Sequence, residues 1–378
     1  MKKTYHALAL FSGGLDSIIA TKVIQAQGLD VLGLHFVTPF FGKPQLVPGW
    51  EKNYGIPITS IDISREYIRL LKEWPLHHFG KVLNPCVDCK ILMLEKAREL
   101  MDVYGATFLI SGEVVGQRPM SQRRDALNII RKAAEAKEIL LRPLSARLLE
   151  PTPMEESGLV DRDKLPQISG RGRKKQLELA RKFKITDIPT PAGGCLLAEK
   201  ESANRYWQIL KHFPAPEPDD FFFANIGRQY WSGPHWLAIG RNRKDNEELE
   251  RLARETDYLF DLVDFPGPSG VGRPVPGQEW SEETIRQGAA LMASFSPRAR
   301  QSHRGVAVRV QHRGEEQDVL VIPDRDLIGT WSIPDWDTAR EEKREKEKEH
   351  QARLAEKKRL AAETYWEDFA EEGGEDGR

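Results

Sequence analysis

Short apolar runs alternate with helically spaced segments through the first 150 residues of the chain. Residues 7–11 (ALALF) end in Ser12-Gly13-Gly14, and from Leu15 the apolar positions Ile19 and Val23 recur at helical spacing. The pattern predicts a strand, a tight turn and a helix. Gly28 stops that helix, and residues 31–37 (VLGLHFV) supply a strand of the near-continuous apolar kind that is buried in parallel sheets. Further strands are predicted at 58–63, 107–110 and 139–141, with an amphipathic stretch at 67–74 and helices at 89–103 and 121–136. Strands alternating with helices of this length predict a doubly wound, mostly parallel α/β sheet.

After residue 150 the rhythm loosens. Loops at 151–169 lead to a helix at 174–184, and residues 212–220 (HFPAPEPDD) carry three prolines and read as a stiff linker. An α+β pattern follows: strands at 221–230 and 235–240 around Ser232-Gly233-Pro234, a helix at 246–255, a helix from Ser281 to about 294, and a hairpin of 306–311 with 318–322 around Arg313-Gly314. From Arg340 the chain is densely charged and then acidic, which predicts a solvated helix or a disordered tail. The predicted organisation is an α/β domain at 1–211, the linker at 212–220, a smaller α+β domain at 221–330 and the charged tail at 331–378. There is no internal repeat.

Composition sharpens this. At 378 residues the chain is too long for one ordinary core, and 56 Lys and Arg against 57 Asp and Glu exclude a uniformly basic nucleic-acid binder. Basic charge is nevertheless concentrated. Residues 118–147 hold eight Lys and Arg against three Asp and Glu, and residues 171–184 hold seven against one. Arg171, Arg173, Lys174 and Lys175 crowd a predicted helix start, where cations oppose the dipole; phosphate contact explains them better than capping does. Arg118 lies in the loop after a strand ending in Ser111-Gly112-Glu113, and strand ends of this kind bind ligands. The N-terminal apolar run is too short for a signal peptide and no stretch approaches a membrane span, so a cytoplasmic protein without a membrane partner is expected.

The turn Ser12-Gly13-Gly14-Leu15-Asp16-Ser17 is the most informative segment. Its glycines permit a sharp turn that exposes backbone N–H groups at a helix N-terminus, a cradle for pyrophosphate. Ser12 and Ser17 can donate hydroxyls to phosphate oxygens, whereas Asp16 is suited to hold Mg²⁺ or to orient a nucleotide. The turn lacks both the lysine of the Walker loop and the G-x-G-x-x-G of dinucleotide folds. The three cysteines form a second set: Cys86 and Cys89 at a helix start, and Cys195 in a Gly-Gly loop. No histidine stands at finger spacing for a structural zinc site. Three thiolates suit an iron–sulfur cluster with one iron left open, or a nucleophile with partners that pass a persulfide.

SGGLDS resembles the PP-loop of the ATP pyrophosphatases, and NPCVDCK followed far downstream by PAGGCLL is similar to their tRNA-thiolation branch, the 4-thiouridine and 2-thiouridine synthetases. The resemblance covers roughly residues 5–210. It implies a Rossmann-like sheet of the adenine nucleotide alpha hydrolase type, with ATP on Ser12, Gly13, Gly14, Leu15, Asp16 and Ser17, Gly112 nearby, and adenine near His35 and Phe36. Asp16 and Cys195 would be catalytic. Cys86, Cys89 and Cys195 would ligate a 4Fe-4S cluster, or Cys195 would carry a persulfide that Cys86 or Cys89 resolves; the cluster uses all three. The basic residues Arg118, Arg171, Arg173, Lys174 and Lys175 would contact RNA. The Gly227-Arg228 and Gly240-Arg241-Asn242 turns and the Asp264-Phe265-Pro266-Gly267-Pro268 segment are similar to the RNA-binding module of NFACT proteins. The expected function is an ATP- and Mg²⁺-dependent tRNA sulfurtransferase, with tRNA and a sulfur donor (sulfide or a desulfurase-derived persulfide) as partners. Two alternatives stand beside it: a PP-loop ligase inserting nitrogen, and an ATP-sensing RNA-binding protein of the translation machinery.

Overall fold

The computed structural model describes residues 4–189, 194–302 and 304–372. Five strands form the first sheet: β1 (Ala7–Leu10), β2 (Val31–Val37), β3 (Ile58–Asp62), β4 (Phe108–Ser111) and β5 (Leu140–Leu141), in the order β3-β2-β1-β4-β5 and parallel throughout. Successive strand residues face opposite sides, and both sides are apolar. Leu8, Leu10, Leu32, Leu34 and Leu109 enter one core, whereas Ala7, Ala9, Val31, Phe108 and Ile110 enter the other. Each face is therefore covered, as the unbroken apolar runs require. Chain order reverses between β1 and β4, and such switch points open a crevice beyond the carboxyl ends of the strands.

Six strands form the second, antiparallel sheet: β6 (Arg228–Ser232), β7 (His235–Ile239), β8 (Tyr258–Leu262), β9 (Gly270–Arg273), β10 (Val306–His312) and β11 (Glu315–Val321), in the order β11-β10-β8-β9-β7-β6. The strand expected over 221–230 is mostly something else. Pro218–Phe223 is a helix, with Pro218 in its first turn and a capping box between Glu217 and Asp220, and the strand begins only at Arg228. The expected hairpin forms around Arg313-Gly314, and the helix capped by Ser281 spans Glu282–Ala293.

Residues 212–220 are packed rather than free. Phe213 and Asp220 are buried, and Phe221 lies against Phe40 and Tyr206 of the first unit. One apolar cluster runs from Leu8 and Phe40 through Phe213 and Phe221 to Trp231 and Trp236 of the second sheet. The charged tail is a helix, Trp336–Glu372, whose first turns are anchored: Trp336 and Ala339 are buried, and Glu342 accepts hydrogen bonds from Trp207 (2.6 Å) and Lys211 (2.6 Å). No helix among the described residues is long and apolar enough to cross a membrane.

Candidate active site

The glycine turn sits at the switch point. Ser17, in the first turn of the helix Leu15–Gln25, donates to Gly14 O (2.8 Å), while its Oγ accepts from Ser12 N (3.3 Å); the Gly14 N–H is held by Ser12 Oγ (3.3 Å). Gly13 has φ 74°, and a side chain there would collide with the ring of Trp50. Gly112, just past β4, approaches so closely that a Cβ would stand 2.7 Å from Ser17 N and 2.8 Å from Asp16 C. Both positions therefore require glycine for contact, beyond any preference for a turn. Gln117 donates to Asp16 Oδ2 (3.1 Å), and Asp16 Oδ1 is buried with no hydrogen-bond partner among the described residues. A buried carboxylate oxygen left unpaired is costly unless a cation or donor arrives.

His35 and Phe36 are neighbours on β2 and so point to opposite faces, which leaves at most one of the two side chains for a nucleobase. Phe36 is core. His35 is buried, with Nδ1 donating to Phe11 O (2.9 Å) and Nε2 accepting from Lys43 N (2.8 Å). Burial lowers its pKa, so the neutral ring that this pairing needs is the stable form. Its role is to fix the segment after β2. That segment carries Trp50, whose ring meets His35 and Phe11 edge-on at 5.0 and 5.8 Å. Periodicity gives no sign of Trp50, because the short helix Val47–Tyr54 that carries it reaches the turn only through the fold.

The three cysteines converge. The observed helix begins at Cys86 rather than Cys89, spanning Cys86–Glu99, so the two thiols lie one turn apart on one face. Leu196 N donates to Phe40 O (3.0 Å) just beyond β2, and Leu83 N donates to Leu197 O (2.9 Å), which ties the Cys195 segment to the approach of the Cys86 helix. Residues 190–193 of the PAGGCLL motif and its flank lie outside the described residues. Cys195 feels the charges of both Cys89 and Cys86, and the Tyr67 hydroxyl is hydrogen-bonded to Cys89. Burial pushes the Cys89 thiol up to about 11, against the opposing pull of Lys90 and of that hydroxyl. Burial first, and then Cys89, push Cys195 higher still. All three residues keep part of their surface open. Among the described residues no three His, Cys, Asp or Glu side chains are close enough to grip a single metal ion.

One loop touches both sets. Gln117 holds Asp16, and Asn84 Nδ2 donates to Cys86 Sγ (3.1 Å) and lies 3.5 Å from Met120 Sδ. The loop is set by the buried Glu113–Arg142 pair (3.1 Å) and by Val115, which bridges Ser169 and accepts from Gly170 N (2.8 Å). The same bridge makes neighbours of the loops carrying Arg118 and Arg171. Arg118, Arg171, Lys174 and Lys175 are exposed and Arg173 is half-buried.

Residues 3–147 match the family model described as "Thiamine biosynthesis protein (ThiI)". The chain is 29% identical over 125 residues to the tRNA-specific 2-thiouridylase MnmA of Petrotoga mobilis, covering 28% of this chain and 34% of that protein. It is 26% identical over 136 residues to a "Probable tRNA sulfurtransferase" of Thermococcus kodakarensis, covering 34% of each. The chain thus spans about a third of the length of these relatives. Among solved structures, the U34-tRNA thiolase NcsA of Methanococcus maripaludis "with its [4Fe-4S] cluster" aligns at 14% identity over 59% of this chain and 71% of that one, with a TM-score of 0.28, too low to bear on this chain. The chain is thus similar to that family model over residues 3–147 and, over about a third of their length, to proteins named for tRNA thiolation.

Proposed function

We propose that this chain is an ATP-dependent tRNA sulfurtransferase. The observation that carries the reading is the convergence of Cys86, Cys89 and Cys195, 109 residues apart at their extremes, beside the phosphate turn and joined to it by the 117–120 loop. A nitrogen-inserting ligase or an ATP sensor gives that convergence no task. ATP would lie beyond β1 and β4, with its phosphates against the N–H groups and hydroxyls of Ser12–Ser17. Asp16, with one oxygen held by Gln117 and the other unpartnered, would hold Mg²⁺. A uridine carbonyl oxygen then attacks the α-phosphorus and pyrophosphate leaves. Sulfur replaces the adenylated oxygen and AMP departs.

Three thiols without a fourth protein ligand fit a 4Fe-4S cluster held by three irons, and when bound it would present the sulfur donor at the fourth. A cubane takes thiols spaced more widely than a single ion does. The raised pKa values point the same way: thiols kept protonated at neutral pH are poor nucleophiles, whereas metal charge displaces the proton. Sulfide or a desulfurase-derived persulfide would supply the sulfur. The surface bearing Arg118, Arg171, Arg173, Lys174 and Lys175, with the second sheet as an NFACT-like RNA-binding module, would hold tRNA by its backbone in the cytoplasm.

Nucleoside mass spectrometry of tRNA from a strain lacking the gene tests this. One thiolated nucleoside should disappear and return with the wild-type chain, but not with Asp16→Ala or Cys195→Ala. An unchanged set of thiolated nucleosides would overturn the reading. Enzyme that is active, colourless and free of iron would overturn the cluster alone.

A further inference from the structure

Each of the three cysteine sulfurs is met by one hydrogen-bond donor, and each donor is of a different kind. Cys86 Sγ accepts from the Asn84 amide (3.1 Å), Cys89 from the Tyr67 hydroxyl, and Cys195 from the backbone N–H of Leu197. A neutral thiol is a weak acceptor, whereas a sulfur that carries negative charge holds a donor roughly twice as strongly. Three donors on three sulfurs therefore suit sulfurs that are charged in the working protein.

Tyr67 is the donor whose presence packing does not explain. It lies on the buried face of the helix Ser64–Glu73, with Ile68 and Leu71, and its ring meets Phe40 and Phe41 at 5.6 and 5.2 Å. A phenylalanine would fill that place as well, and would leave no hydroxyl to satisfy in an apolar core. The hydroxyl is nevertheless there, almost wholly buried, and it is turned to Cys89. Tyr206, the other buried phenol against Phe40, is bonded to Asn225 (3.0 Å) instead. The setting of Tyr67 is also firm. Phe40 packs on its ring and accepts from Leu196 N (3.0 Å), so the turn after β2 positions Tyr67 and the Cys195 segment together.

We infer that Tyr67 is a positioning residue of the sulfur site. Its hydroxyl fixes the Cys89 side chain and, with the Asn84 amide and the Leu197 N–H, holds negative charge on the three sulfurs. Donors of this kind favour the more negative state of a cluster and so raise its reduction potential. The inference rests on the proposed cluster, and it assigns a role to a residue outside both cysteine motifs.

The test is the midpoint potential of the full chain, loaded with iron and sulfide in the absence of oxygen. Wild type is compared with Tyr67→Phe and with a chain carrying fluorotyrosine at position 67. Loss of the bond in Tyr67→Phe should favour the oxidised form about tenfold at a fixed applied potential, a fall in midpoint of about 59 mV for one electron, with iron per chain unchanged. The fluorinated phenol is more acidic and donates more strongly, so its midpoint should rise. A residue that only fills space would move neither value, so equal midpoints in all three chains overturn the inference and leave the cluster standing. Should Tyr67→Phe lose its iron, the fluorinated chain decides alone: a rise supports the inference, and a fall or no change overturns it. A wild type that takes up no iron overturns the cluster and this role with it.

Discussion

Gly112 shows how much one absent methyl group can decide. Its virtual Cβ meets backbone, Ser17 N and Asp16 C, which cannot swing aside as a side chain could. Gly112→Ala should therefore displace the phosphate turn and lower thiolation about a hundredfold, because misplacing a reacting group by an ångström costs that order. Gly28→Ala is the control: φ is 84° but nothing lies within 4 Å, so about 1 kcal/mol of backbone strain should appear in the melting temperature and none in turnover. His35 gives a pH prediction. Its folded pKa is lowered by burial, so the unfolded chain takes up the proton more readily, and the stabilising term is complete above the ordinary histidine range and lost as pH falls below it. His35→Gln should flatten the fall of the urea midpoint between pH 7 and pH 5; an unaltered slope would show that His35 does not contribute. The turn residues were legible in the sequence because the chemistry needs them adjacent. Trp50 and Tyr67 were not, since their positions depend on how the helices Val47–Tyr54 and Ser64–Glu73 pack back on the sheet.

Among the elements, those set by local signals came through best. β1, the turn and its helix follow from a change of hydrophobic period within 20 residues, and β2 follows from an unbroken apolar run. The phenylalanine run at 221–223 misled, because an apolar triplet suits a buried strand as well as a buried helix, and the capping box at Glu217 decided the matter. The charged tail is the more instructive case. Its composition describes a solvated helix, yet Lys343, buried, donates to Gly80 O (3.0 Å) and lies over Phe79 at 5.5 Å, and Gly80 N in turn is held by Asn84 O (2.9 Å). Asn84 is the residue that donates to Cys86. The helix thus braces the loop on which the first cysteine depends. Lys343→Met keeps the apolar stem and removes the donor. On the proposed function it should lower iron per chain and thiolation severalfold while ATP affinity holds; iron content equal to wild type would show that the brace is not needed.

Across the whole molecule, the stretch expected to be a linker is tied to the second sheet by buried charge. Asp220, from the stretch read as a linker, accepts from Arg273 (3.1 Å), and Arg273 also pairs with Asp257 (2.7 Å) on the second sheet; all three are almost wholly buried. Sequence reasoning placed prolines there and inferred stiffness, but it had no means of seeing that Asp220 meets a partner 53 residues on. The same holds for Cys195 and Cys86: their shared use was inferred from scarcity, and the bond from Leu83 N to Leu197 O brings their segments side by side. The continuous apolar cluster packs the two units against each other. Removing one member of a buried pair leaves the other uncompensated, so Asp220→Ala should cost about 3 kcal/mol, against less than about 0.5 kcal/mol for breaking the exposed Arg243–Glu247 pair. Calorimetry should show both units of the variant unfolding together at a lower temperature. Two separated transitions, with only the second shifted, would mean that the cluster from Leu8 to Trp236 does not couple them.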